Sequence, residues 1–214
     1  MDLEQFKKLL ERYEEVKKLY IVTEETDPDL NTNLQPLNEF RATLDHVFRA
    51  IKLLLENNAE GADVDLDKAN SHLCRAFYDI CDATSINYRE KIQKILSAYA
   101  PDEIRDVIPN YYSEYRIQLD KINDEIGELR TEKGKEEALS AQTEYVKFDR
   151  YIDLLEQLQK IYDVVNSSAP ALEEVHQRNR RKARKTWVGS FVGGVLSAVL
   201  ATILIDFIVD LIAK

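Results

Sequence analysis

The chain has 214 residues, with 29 Lys+Arg against 39 Asp+Glu and a net charge of −10 at pH 7. That length holds one compact domain of about 175 residues plus an anchor, not a set of domains. Residues 1–175 carry 22 Lys+Arg and 37 Asp+Glu, a net of −15, so direct nucleic-acid binding is not expected, because phosphate backbones need clustered cations.

The N-terminus, MDLEQFKKLLERYEE, is acidic and amphipathic and lacks the apolar core of a secretory signal. Gly (6) and Pro (5) are scarce and no window alternates with period two, so the pattern predicts an all-α chain. A first helix is expected over residues 2–20, with Leu3, Phe6, Leu10 and Tyr13 on one stripe, followed by the polar loop IVTEETDPDLNTN. A second helix begins near Pro36 and runs to about Asn57, with the stripe Leu37, Phe40, Leu44, Val47, Ile51 and Leu54. After NNAEGADVD, a long helix spans about Leu66 to Tyr99, and Pro101 and Pro109 then break the pattern.

From Tyr111 the period is coiled-coil-like. Tyr112, Tyr115, Leu119, Ile122, Ile126 and Leu129 alternate three and four apart. Beyond the polar break TEKGKEEAL, so do Phe148, Tyr151, Leu155, Leu158, Tyr162 and Val165. This spacing predicts two antiparallel helices packed in the 3-4 manner. SSAP at 167–170 ends that hairpin, and Pro170 opens a last helix that runs to the chain end.

Residues 187–205, WVGSFVGGVLSAVLATILI, carry no charge, and nineteen helical residues cover about 30 Å, one hydrocarbon core. Arg178, Arg180, Arg181, Lys182, Arg184 and Lys185 precede them. As stop-transfer cations they place the N-terminus in the cytoplasm and the C-terminus outside, and they suit anionic lipid headgroups. The expected organisation is a cytosolic antiparallel helical bundle at 1–169, a basic juxtamembrane helix at 170–186 and one C-terminal transmembrane helix at 187–214. That is a tail-anchored, single-pass protein of the cell inner membrane.

Ser190, Gly194, Ala198, Thr202, Asp206 and Asp210 recur every four residues, and Gly189, Gly193, Ser197 and Ala201 form a second row. Small residues let helices approach closely, so the span is expected to self-associate. Asp206 and Asp210 could then form acidic collars in a ring of copies, or lie in the outer headgroups.

The bundle has one notable cluster. His46 with Arg49 and His72 with Arg75 both fit His-x-x-Arg-Ala. Packed antiparallel, the two helices could gather Arg41, Asp45, His46, Arg49, His72, Arg75, Tyr78 and Asp79. This is either an anion-binding site for a nucleotide-like ligand or a salt-bridge network joining the helices. Arg41 to His46 also fits R-x4-H. On that motif the domain resembles the HEPN families, and the resemblance implies a nuclease site pairing Arg and His across a dimer. Ala42 departs from their polar residue after the Arg. A HEPN-like head on one oligomerising span is similar to small single-span membrane effectors of bacterial antiviral nucleotide-signalling systems.

No catalytic set or cofactor is expected. Asp63, Asp65 and Asp67 imitate the start of a calcium loop, but Lys68 stands where Gly is required and Cys74 where Glu is, so no metal is expected either. Cys74 and Cys81 are seven residues apart on one helix, about 10 Å of rise, too far to bridge. The expected function is a homo-oligomeric membrane effector, not an enzyme, forming or gating an ion pore for antiviral defence. The alternatives are a tail-anchored scaffold for a protein partner and a membrane-tethered RNase using Arg41 and His46.

Overall fold

The structure, a computed structural model, describes residues 3–27, 29, 32–133 and 141–212, with the side chains of 3, 132, 133, 141–147, 198 and 202–212 left out. Its elements are α1 (Leu3–Thr26), α2 (Leu34–Leu55), α3 (Ala59–Leu96), α4 (Pro101–Val107), a π-helical turn (Tyr111–Tyr115), α5 (Arg116–Lys133) and α6 (Ala141–Ile212). Among the described residues there is no strand. They form two compact units. The first comprises Met1–Ala98 with Asn110–Ser167, the second Tyr99–Pro109 with Ser168–Lys214.

In the first unit α3 is the central helix. Leu73, Ala76, Phe77, Ile80 and Cys81 are buried along it, and α1, α2, α5 and the first half of α6 each meet it through side-chain pairs. Side-chain pairs fix the directions. Arg12 bonds Asn70 and Thr23 bonds Thr84, so α1 runs parallel to α3. Glu39 meets His72 and His46 meets Asp65, so α2 runs antiparallel. Arg89 reaches Asn123 and Arg130 reaches Asp82, so α5 is antiparallel too. Phe77 stacks on Phe148 and Tyr88 lies against Tyr162, so the first half of α6 returns parallel. The antiparallel pairing of α5 and α6 follows, as their period predicts, with Leu119, Ile122, Ile126, Leu129, Leu155, Leu158 and Val165 buried.

The turn from α2 to α3 is tight because of two asparagines. Asn57 adopts φ 58°, a left-handed conformation that Asn tolerates. Asn58 caps α3, its Oδ1 accepting from Gly61 N at 2.9 Å. A Cβ on Gly61 would lie 2.7 Å from the Asn58 amide, so this cap needs glycine. α3 thus starts at Ala59 rather than Leu66, and Asp63, Asp65 and Asp67 are helical rather than in a loop.

Two stripes differ from expectation. On α1 the buried residues are Leu9, Arg12, Val16, Tyr20 and Thr23, while Leu10 is exposed. On α2 Pro36, Phe40, Thr43 and Ala50 are buried, while Leu37, Leu44 and Ile51 face solvent. On both helices the apolar arc is wider than the face that the bundle covers. The break expected within 131–139 lies, beyond Lys133, outside the described residues.

The second unit is held by Glu103. Pro101 opens α4, and the Ala100 N–H donates to Glu103 Oε2 at 3.0 Å. His176 Nδ1 meets the same oxygen at 2.9 Å and Asn179 Nδ2 donates to Oε1 at 3.1 Å. These donors hold the Glu103 carboxyl below the usual carboxylate range, His176 most strongly. Pro170 does not start a new helix; it lies inside α6, where its ring removes one backbone hydrogen bond.

The C-terminal transmembrane helix expected at 187–214 is corrected. Among the described residues no helix is long and apolar enough to cross a membrane. Residues 187–201 carry exposed apolar and small side chains, except at 198, whose side chain lies outside the described residues. They continue a 72-residue helix whose preceding turns are charged. The tail anchor, the ion channel, the membrane-protein assignment and the single-pass inner-membrane localisation all rested on that span and fall with it.

Candidate functional site

The histidine cluster forms between α2 and α3. Their antiparallel packing sets residue 39 level with 72 and residue 46 level with 65. His46 Nδ1 lies 2.8 Å from Asp65 Oδ1, and His72 Nδ1 lies 2.7 Å from Glu39 Oε2. The two imidazoles stack with centroids 5.3 Å apart and planes 21° from parallel. Arg75 Nε donates to the same Glu39 oxygen at 3.1 Å. Arg75 Nη2 also lies 2.8 Å from His72 Nδ1. Since Arg only donates, His72 Nδ1 can serve Glu39 as a donor or accept from Arg75, not both at once. Lys68 sits 3.9 Å from Asp65.

Burial opposes the charge on Glu39, but the hydrogen bonds from His72 and Arg75 outweigh it and lower the carboxyl below its usual range. The arrangement is a reciprocal clamp in which each helix offers one imidazole and one carboxylate to the other. Carboxylates that orient imidazoles also occur in catalysis and metal binding. Among the described residues, however, no group of three or more His, Cys, Asp or Glu is placed to hold a metal ion.

The structure therefore brings together His46, His72 and Arg75 of the anticipated set. Arg41 and Arg49 are exposed on α2. Arg41 and His46 are five positions apart, which puts them about 140° apart around the helix. Tyr78 is buried instead among Phe77, Phe148 and Tyr151. Glu39 stands outside the expected set, and Asp65, read from the sequence only as part of a calcium-loop imitation, is the partner of His46. Their signal was present as Glu-x6-His at 39 and 46 and Asp-x6-His at 65 and 72, two turns apart on each helix.

A second polar centre lies among α3, α5 and α6. The Tyr151 hydroxyl donates to Asp82 Oδ1, and Arg130 Nε donates to that oxygen at 2.7 Å. Arg89 Nη1 reaches Asn123 at 3.0 Å. Burial, followed by Asp82, pushes the Tyr151 phenol far above its usual range.

On the second unit, Trp187, Val188, Phe191, Val192, Val195, Leu196, Val199 and Leu200 are all exposed along α6. Ser190, Ser197 and Ala201 lie among them and are exposed too. A Cβ added to Gly189, Gly193 or Gly194 would meet nothing within 4 Å. The six cations Arg178, Arg180, Arg181, Lys182, Arg184 and Lys185 precede this stretch, also exposed. The side chains of Ala198, Thr202, Asp206 and Asp210, placed in the same rows by their spacing, lie outside the described residues.

Comparison with family models, with curated proteins and with solved structures returned no match to this chain.

Proposed function

We propose that the chain is a non-enzymatic, self-assembling scaffold. Copies gather through the far end of α6, and each copy presents its helical bundle to protein partners. One observation carries this reading: eight large apolar side chains stand exposed within 187–200, interleaved with small residues. Contiguous apolar surface of that extent marks an interaction site on a protein. Glycines with open space beside them let a second helix approach to backbone contact. The net charge of −15 over residues 1–175 favours protein partners over nucleic acid.

Light scattering on the full chain across a dilution series tests this. The expected result is a mass of several copies that falls when Gly193→Leu and Gly194→Leu fill the small-residue rows. A monomer at every concentration, or an assembly indifferent to both changes, would overturn it.

A further inference from the structure

The outer face of α2 carries an apolar strip that the bundle does not use. Leu34, Leu37, Leu44, Phe48, Ile51 and Leu55 are between 39% and 80% exposed. With Arg41 among them, they follow the order 34, 37, 41, 44, 48, 51, 55, alternating three and four apart. That is the spacing of a heptad seam sustained for three heptads. It is turned about 110° around α2 from Phe40, Thr43 and Ala50, which face the core. The strip exposes on the order of 500 Å² of apolar surface, at the upper end for a monomer.

We infer that a second copy of this chain docks here, as an antiparallel α2 to α2 pair. Arg41 decides both the partner and the orientation. It is the one polar residue in the seam, and Asp45 flanks the seam one turn later. Both are exposed, and among the described residues neither forms an ion pair. An antiparallel pair that sets Arg41 level with Leu44 of the second copy also sets Leu37 level with Phe48 and Leu34 level with Ile51. Asp45 of the second copy then falls one residue, about 1.5 Å of rise, from the level of Arg41, and the two-fold axis repeats that pair. A parallel pair would instead stack Arg41 on Arg41 within the seam.

Two strips bury roughly 1,000 Å² of apolar surface. With Arg41 in the seam and Asp45 and Lys52 flanking it, the pair reaches the lower bound for a specific interface, so its association is concentration-dependent. The pairing uses a different helix of a different unit from the α6 assembly and does not rest on it.

The test is disulfide mapping on the full chain, in both the wild type and the combined Gly193→Leu, Gly194→Leu background. Cys74 and Cys81 are buried, so an introduced surface cysteine is the reactive one. Leu37→Cys and Phe48→Cys, oxidised separately, should give little dimer, and mixed they should give a covalent heterodimer in both backgrounds. Glu14→Cys on α1 mixed with either serves as the control. Arg41→Asp should weaken non-covalent pairing about tenfold, and Arg41→Asp with Asp45→Arg should restore it. A Leu37→Cys homodimer as abundant as the mixed product would overturn the proposal. So would mixed cross-linking no greater than the Glu14→Cys control, or an Arg41→Asp effect that the charge swap leaves unrescued. Loss of the α6 assembly alone, with the mixed cross-link intact, would sink the scaffold reading and spare this one.

Discussion

His46 and His72 stack face to face across the α2 to α3 interface, and each is tied through Nδ1 to a carboxylate of the other helix. The clamp closes a short connection whose turn is already set by Asn57 and Asn58. It fixes the rotation of α2, and so decides which apolar residues point inward and which are left on its outer face.

Glu39 is the hub of the clamp, and its removal has a pH signature. Its carboxyl is lowered by His72 and Arg75 against the opposing effect of burial. A lowered folded value means the stabilisation is fully present above the ordinary carboxylate range near 4.5 and is lost as pH falls through the folded value. Glu39→Gln should cost about 1 kcal/mol at pH 7, a charge-assisted bond discounted for partial exposure. The difference from wild type should shrink steadily as urea titrations move from pH 5 to pH 3. A constant difference over that range would mean the carboxylate is not what the clamp uses.

Tyr151 gives the opposite pH dependence. Its ring is fully buried and its hydroxyl serves Asp82. Burial first, and Asp82 next, raise the phenol far above its usual range. A raised value confers stability that is present below the unfolded phenol's pKa, about 10, and lost as pH climbs toward the folded one. Tyr20 should ionise earlier, since burial and then Glu24 push it up only to about 12. Ultraviolet titration should therefore show Tyr151 ionising only as the bundle unfolds. Tyr151→Phe should lower stability by about 1–2 kcal/mol at neutral pH while Asp82 keeps Arg130. An unchanged denaturation midpoint would mean that the hydroxyl adds nothing to the ion pair.

The helical class, the antiparallel hairpin of α5 and α6, and the joining of His46, His72 and Arg75 were legible in the sequence. The reason is that long elements with regular periods report their own geometry. Glu39 and Asp65 were harder to read, because in a chain with 39 carboxylates the two x6 spacings to His46 and His72 become a pairing only once the two helices are aligned. Leu37, Leu44 and Ile51 were misassigned for a related reason: hydropathy marks an apolar arc but does not say how much of it the neighbouring helix covers. Pro170 misled in the other direction. Proline lowers helix propensity locally, yet here α6 continues through it, since one missing N–H does not outweigh the turns on either side. The uncharged run at 187–205 showed local hydropathy alone, and among the described residues no helix is long and apolar enough to be the span inferred from it.

Phe77 and Phe48 separate stability from association most directly. Phe77 is 1% exposed and stacks on Phe148 with centroids 3.8 Å apart. Its truncation to Ala leaves a cavity at the point where α3 meets α6 and should cost about 3–5 kcal/mol. Phe48 is 66% exposed, and its side chain has far less packing to lose. Phe48→Ala should shift the unfolding free energy of dilute protein by no more than about 0.5 kcal/mol. At high concentration the order reverses. Phe48→Ala removes apolar area from the α2 seam and should lower the fraction of paired chains, while a conservative Phe77→Leu should leave pairing intact. Calorimetry on dilute samples and sedimentation on concentrated ones read the two effects independently. If Phe48→Ala melted the bundle as severely as Phe77→Ala, α2 would be rotated from the position described, and its outer seam would be part of the core.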